Sequence, residues 1–128
     1  MSFTIGNTYS REGIQNSLGV PAARRDASWN TGYTRYDGEV YIFCTVGIAG
    51  RAGHDYPNRW DGKELIWFGK IASTVKQPLM KAMVAGRIPV HIFWRDQEYG
   101  RFTYAGVGRT VHAQSTSPVQ IRWSLHAA

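Results

Sequence analysis

The sequence has one cysteine, few carboxylates and no long apolar run, and each scarcity excludes something. Cys44 lies inside an apolar, strand-like run, so a disulfide framework is out and a buried thiol in a reducing compartment is expected. Apolar stretches such as Val40 to Cys44 are too short to span a membrane. Met1, Ser2, Phe3 and Thr4 form neither a basic nor an apolar start, so no signal peptide and a cytoplasmic location are expected. Catalytic signatures are missing too. There is no paired-histidine metal spacing, no CxxC, no GxGxxG or Walker loop, and no GxSxG. His54, His91, His112 and His126 are dispersed, and Glu12, Glu39, Asp55, Asp61, Glu64, Asp96 and Glu98 make no compact acidic cluster for Mg²⁺. The expectation is no enzyme, no metal and no cofactor, although a nuclease or glycosylase site assembled from distant residues would escape such a survey.

What is present points to a polyanion. Fifteen Lys and Arg against nine Asp and Glu give a net charge of +6 and a pI near 9.8. Nucleic acid, an anionic membrane surface or an acidic protein would all suit that balance. Aromatic residues reach 13% and are interleaved with the basic ones. Stacking planes beside phosphate-binding cations favour nucleic acid over lipid. The alternative is a small β-rich domain that fills its core with aromatics and stays soluble through surplus cations.

At 128 residues the chain is the size of one domain, with enough length for its own core. Ser10 is a good N-cap for a helix over 11–18, where Ile14 and Leu18 share a face and Gly19 with Pro21 ends it. Residues 21–32 lack periodicity and read as loop. After the Asp37-Gly38 turn, Glu39 to Val46 predicts a strand buried on both faces, hence central. Gly47 to Asp61 reads as a long loop and Glu64 to Phe68 as a strand. Residues 77–86 read as a second short helix, with Pro78 in its first turn and Gly86 after its end. Val90–Arg95, Phe102–Gly106 and Val119–Leu125 supply three more strands, the last alternating cleanly between apolar and polar. The expected fold is α+β: a small, strongly curved sheet or β-barrel of five or more strands with two short helices, as one domain over 1–128.

Six segments in order carry a resemblance: Ile5 to Arg11, Val40 to Val46, Leu65 to Lys70, Val90 to Arg95, Phe102 to Gly106 and Pro118 to Leu125. Together they resemble the domain of unknown function at the C-terminus of bacterial superfamily-2 helicases of restriction and defence, with related copies beside HNH nucleases. That family is similar in layout to PUA-like β-barrels, which include the SRA, YTH and EVE readers of modified bases. The resemblance implies a DNA reader, of modified DNA in particular, that directs an associated nuclease or helicase. Since no helicase or nuclease segment accompanies it here, either an excised domain or a separate subunit is expected.

Two stretches collect the chemistry that base reading needs. Arg51 to Trp60 gathers imidazole, carboxylate, amide, guanidinium and two rings, of which His54, Asp55, Tyr56, Asn58 and Trp60 are pocket candidates. Asn30, Tyr33 and Tyr36 offer a second wall, and Trp67 a stacking platform. Each has a plain counterpart: an ordered loop, an edge strand with surface tyrosines, a core tryptophan. Arg24, Arg25, Arg35, Arg51, Arg59, Lys63, Lys70 and Lys76 are phosphate candidates, lying in loops and at strand ends. The pocket would take a flipped base, or the groove an altered backbone such as phosphorothioate. Duplex DNA is the expected partner; the alternatives are a protein-docking module of a helicase or nuclease complex, and an RNA reader of YTH or EVE type.

Overall fold

The computed structural model describes residues 3–47, 58–70 and 73–127. Among them the chain is α+β, with two helices and one eight-stranded mixed sheet. The elements are β1 (Thr8–Tyr9), α1 (Arg11–Leu18), β2 (Tyr33–Tyr36), β3 (Glu39–Thr45), β4 (Arg59–Asp61), β5 (Glu64–Phe68), α2 (Pro78–Val84), β6 (Val90–Arg95), β7 (Phe102–Gln114) and β8 (Gln120–His126). The strand order is β2-β3-β6-β7-β8-β5-β4, with β1 added to β7. The β3–β6 ladder is parallel, and the other ladders are antiparallel.

Local signals set the ends of several elements. The Ser10 hydroxyl accepts from the Gly13 amide at 2.9 Å and starts α1. Gly19 ends it in the left-handed region (φ 68°), its amide and that of Val20 returning to the carbonyls of Asn16 and Gln15. Asp37 and Gly38 both take positive φ, which gives the tight turn of the β2–β3 hairpin. Other boundaries differ from the sequence reading. The expected loop Gly47 to Asp61 ends in β4, three residues too short and too charged to show a period. Residues 21–32 hold two 3-10 turns, Ala22–Arg24 and Ala27–Asn30. β7 runs well past Gly106, and β8 is shifted by one residue to 120–126.

The sheet curls until its two ends approach. Val46, just past β3, forms a parallel bridge with Asn58, just before β4, and the Gly47 amide donates to the Asn58 carbonyl at 2.9 Å. The Asn58 side chain adds a second tie. Its Nδ2 donates to the Thr45 carbonyl at 3.2 Å, while its Oδ1 accepts from the Phe68 amide at 2.9 Å. The ladders stay open, but one amide side chain links β3 and β5, each one strand in from opposite ends of the strand order.

Curling creates an inside and an outside, each with its own core. Inside lie Val40, Ile42, Cys44, Leu65, Trp67, Val90, Ile92, Ile121 and Trp123, closed at one end by Met80 and Met83 of α2. On the outer face Tyr41, Phe43, Phe93, Phe102 and Tyr104 are covered by Phe3, Ile14, Val20 and Trp29. Alternation along β3 and β6 sends successive side chains to the two cores, which is why both strands read as apolar throughout. Burial pushes the Cys44 thiol up to about 12, so the thiolate is not available at neutral pH. His91 is also built in: its ring stacks on Tyr41 at 5.1 Å and bonds to the Tyr104 hydroxyl (3.0 Å) and the Glu39 carboxylate (2.9 Å).

Candidate nucleic-acid interface

The described chain leaves β3 at Gly47 and returns at Asn58, and these two residues are hydrogen-bonded to each other. Gly47 and Asn58 thus meet at one rim of the curled sheet. Arg51, His54, Asp55 and Tyr56 fall between them in the chain and lie outside the described residues.

Around that contact the structure assembles a polar and aromatic rim. Trp60 of β4 meets Trp94 of β6 edge to face, with centroids 5.6 Å apart and planes at 82°. Both rings are half-buried, packed below on the inner core. Trp94 faces this side because its neighbour Phe93 points into the outer core. The next residue, Arg95, points to the outer face, where it donates to the Thr45 hydroxyl and the Gly100 carbonyl and covers the Phe102 ring at 4.3 Å.

The second part of the rim is Tyr33 with Lys70. Tyr33 is buried and meets Trp67 edge-on at 5.5 Å. Lys70, exposed at the end of β5, holds its Nζ 4.2 Å from the Tyr33 ring centroid. Partial desolvation lowers the Lys70 pKa and raises that of Tyr33, as expected for a cation and a phenol sharing a half-dry site. Gly69 makes this turn possible: a Cβ there would collide with the Ser73 hydroxyl and come within 2.9 Å of Val119 Cγ1.

The other sequence candidates are dispersed around the molecule. Trp67 is 2% exposed, its ring enclosed between Tyr33 and Trp123. Asn58 spends its amide on the β3 and β5 backbones. Tyr36 sits at the other end of β2 and on the opposite face, 5.8 Å from Trp29 and beneath Arg24. Tyr33 and Tyr36 are three residues apart on a strand, so they cannot line one recess. Asn30 is exposed at the end of a 3-10 turn. Arg25 is tied to the Val20 carbonyl and the Asn16 side chain. Arg35, Arg59, Lys63 and Lys76 are exposed. One rim residue, Trp94, escaped sequence reading because a strand's apolar run does not reveal which ring remains half-open.

No family model matches the chain, and no curated protein matches it. Solved structures do match. An SRA domain of SUVH5 in complex with hemimethylated CG DNA superposes over 100% of this chain and 92% of its own, with a TM-score of 0.59 and 13% identity. The SUVH5 SRA complex with fully methylated CG DNA matches 97% of this chain and 90% of its own, at a TM-score of 0.53 and 16% identity. The SUVH5 SRA domain bound to fully hydroxymethylated CG DNA matches 97% and 89%, at 0.52 and 15%. The expected PUA-like architecture takes this particular form: the fold of the chain is that of an SRA domain.

Proposed function

We propose that the chain is a non-catalytic reader of modified duplex DNA. The observation that carries this reading is the end-to-end match to a domain whose solved examples hold methylated and hydroxymethylated DNA. The net charge of +6 and the rim chemistry support it. Trp60 and Trp94 offer aromatic surface for an extruded base, with Tyr33, held between Lys70 and Trp67, as the floor beside them and Asn58 as the frame of the opening. Lys70, Arg59, Lys63 and Arg35 hold phosphates, and of the residues between Gly47 and Asn58 in the chain, His54 and Asp55 are edge readers and Tyr56 a further aromatic wall. Extrusion costs least where pairing is already weakened, which favours an altered base. A reader of this kind serves an effector, and a restriction or defence nuclease or helicase, fused or separate, is the effector in this reading.

The test is polarisation binding across a salt series, with duplex DNA carrying methylated, hydroxymethylated, phosphorothioated or no modification, and with matched single-stranded RNA. Salt-sensitive binding that favours one modified duplex is the expected result. Preference for the RNA would transfer the reading to an RNA reader. No binding at low salt would overturn it.

A further inference from the structure

The rim of Trp60, Trp94, Tyr33 and Lys70 forms the mouth of the curled sheet at one end of the β6–β7 pair; the other end carries a groove of its own. The β6–β7 register sets Trp94 against Thr103 at the mouth end and His91 against Val107 at the far end. There α2 packs on β7, and a groove of about 560 Å³ runs between the end of the helix and β7 residues 107–110. Val84, Pro89 and Val107 give it an apolar lining over the buried Met83 and Ile88, and Arg87 and Arg109, both exposed, flank it.

Two further features say what would fill it. First, no carboxylate lines the groove, and the sequence has no Asp or Glu between Glu64 and Asp96 or after Glu98. Second, the β6 ladder stops at Val107, whereas the β8 ladder continues to Gln114. Among the described residues, the stretch 108–114 of β7 therefore has a strand partner on the β8 side alone. Val111, half exposed, sits on that stretch.

We infer that this groove docks an extended, acidic segment of a partner protein. Its backbone runs along the β7 edge, its carboxylates meet Arg87 and Arg109, and its apolar side chains rest on Val84, Pro89 and Val107. A nucleic-acid backbone would satisfy the two arginines but leave the apolar lining unused. The site is separate from the mouth, so it stands whether or not the chain reads modified DNA.

The probe is a short, fluorescently labelled synthetic peptide alternating Glu with Leu, titrated against the full chain. Saturable binding is expected, weakened roughly tenfold or more by the double variant Arg87→Glu/Arg109→Glu and unchanged by Trp60→Ala. A control peptide with Ser in place of Leu should bind clearly more weakly. Because both arginines are exposed, the double variant should keep the wild-type melting temperature. Absence of binding at low salt, equal binding of the Ser peptide, or equal binding by the double variant would each overturn the inference. So would a loss of duplex-DNA affinity in the double variant as large as its loss of peptide affinity, which would make the groove a nucleic-acid surface.

Discussion

At the scale of single residues, the tryptophans divide by what surrounds them. Trp67 is enclosed on all sides, and truncation to Ala should cost about 3–5 kcal/mol of stability through the cavity left behind. Trp60 and Trp94 are half-exposed, so Trp60→Ala or Trp94→Ala should cost less in chemical denaturation while eroding discrimination between modified and unmodified duplex. Equal destabilisation by all three would place Trp60 and Trp94 in the core. The sequence shows five Trp without distinguishing these environments, because each depends on strands distant in the chain. Trp60 faces Trp94 only after the sheet has curled. Cys44 was legible, since a thiol in an apolar strand is buried in nearly any fold. With its pKa at about 12 it should resist thiol reagents near pH 8 until the chain is unfolded.

Tyrosine ionisation adds a pH dependence at the same scale. Desolvation, followed by the Glu39 charge, raises Tyr104 from 10 to about 12, and Tyr41 is raised further by the same causes. In the unfolded chain these phenols ionise near 10; in the fold they stay protonated. Stability is therefore fully present below pH 10 and falls as pH rises from 10 toward 12. Denaturant midpoints measured across that window should decline, and the decline should shrink in Tyr104→Phe.

At the scale of elements, local chemistry was readable and long-range closure was not. Ser10, Gly19 and the Asp37-Gly38 turn are signals carried within a few residues, and α1 and the β2–β3 hairpin form where they say. β4 is three residues held in register by β5, just after Asn58 bridges to Val46, so nothing in Arg59-Trp60-Asp61 announces it. The length of β7 was hidden by Gly106 and Gly108, which interrupt its apolar period. Gly108 is there because a Cβ would come within 2.7 Å of Ile92 and 2.9 Å of Trp123. The same argument separates two other glycines. Gly69→Ala should lower the melting temperature markedly and disturb Lys70 at the mouth, since Ser73 and Val119 occupy the space. Gly32→Ala, with nothing within 4 Å, should change stability by no more than about 0.5 kcal/mol. Similar melting curves for the two variants would refute the close approach at Gly69.

At the scale of the whole molecule, the fold class was legible because six ordered segments fall on its strands and turns, and curvature follows from many short strands between glycine turns. The mouth was only half legible. The aromatic and basic residues were visible, but the fold puts Tyr33 and Tyr36 on opposite faces and turns Asn58 into a clasp. Charge completes the picture. Carboxylates are absent from long stretches of the second half of the chain, so the surplus of six positive charges is uneven along the sequence. Binding to any duplex should weaken steeply as salt rises.

The most direct test of the reading is the ratio of dissociation constants for two duplexes that differ only by methylation of the cytosines of one CG step, measured at a single salt concentration. A reader should prefer the methylated duplex by roughly tenfold or more, about 1.4 kcal/mol. That preference should fall toward unity in Trp60→Ala/Trp94→Ala. A wild-type ratio of one, with hydroxymethylated and phosphorothioated duplexes bound no better, would contradict the account and leave a domain that holds DNA by charge alone.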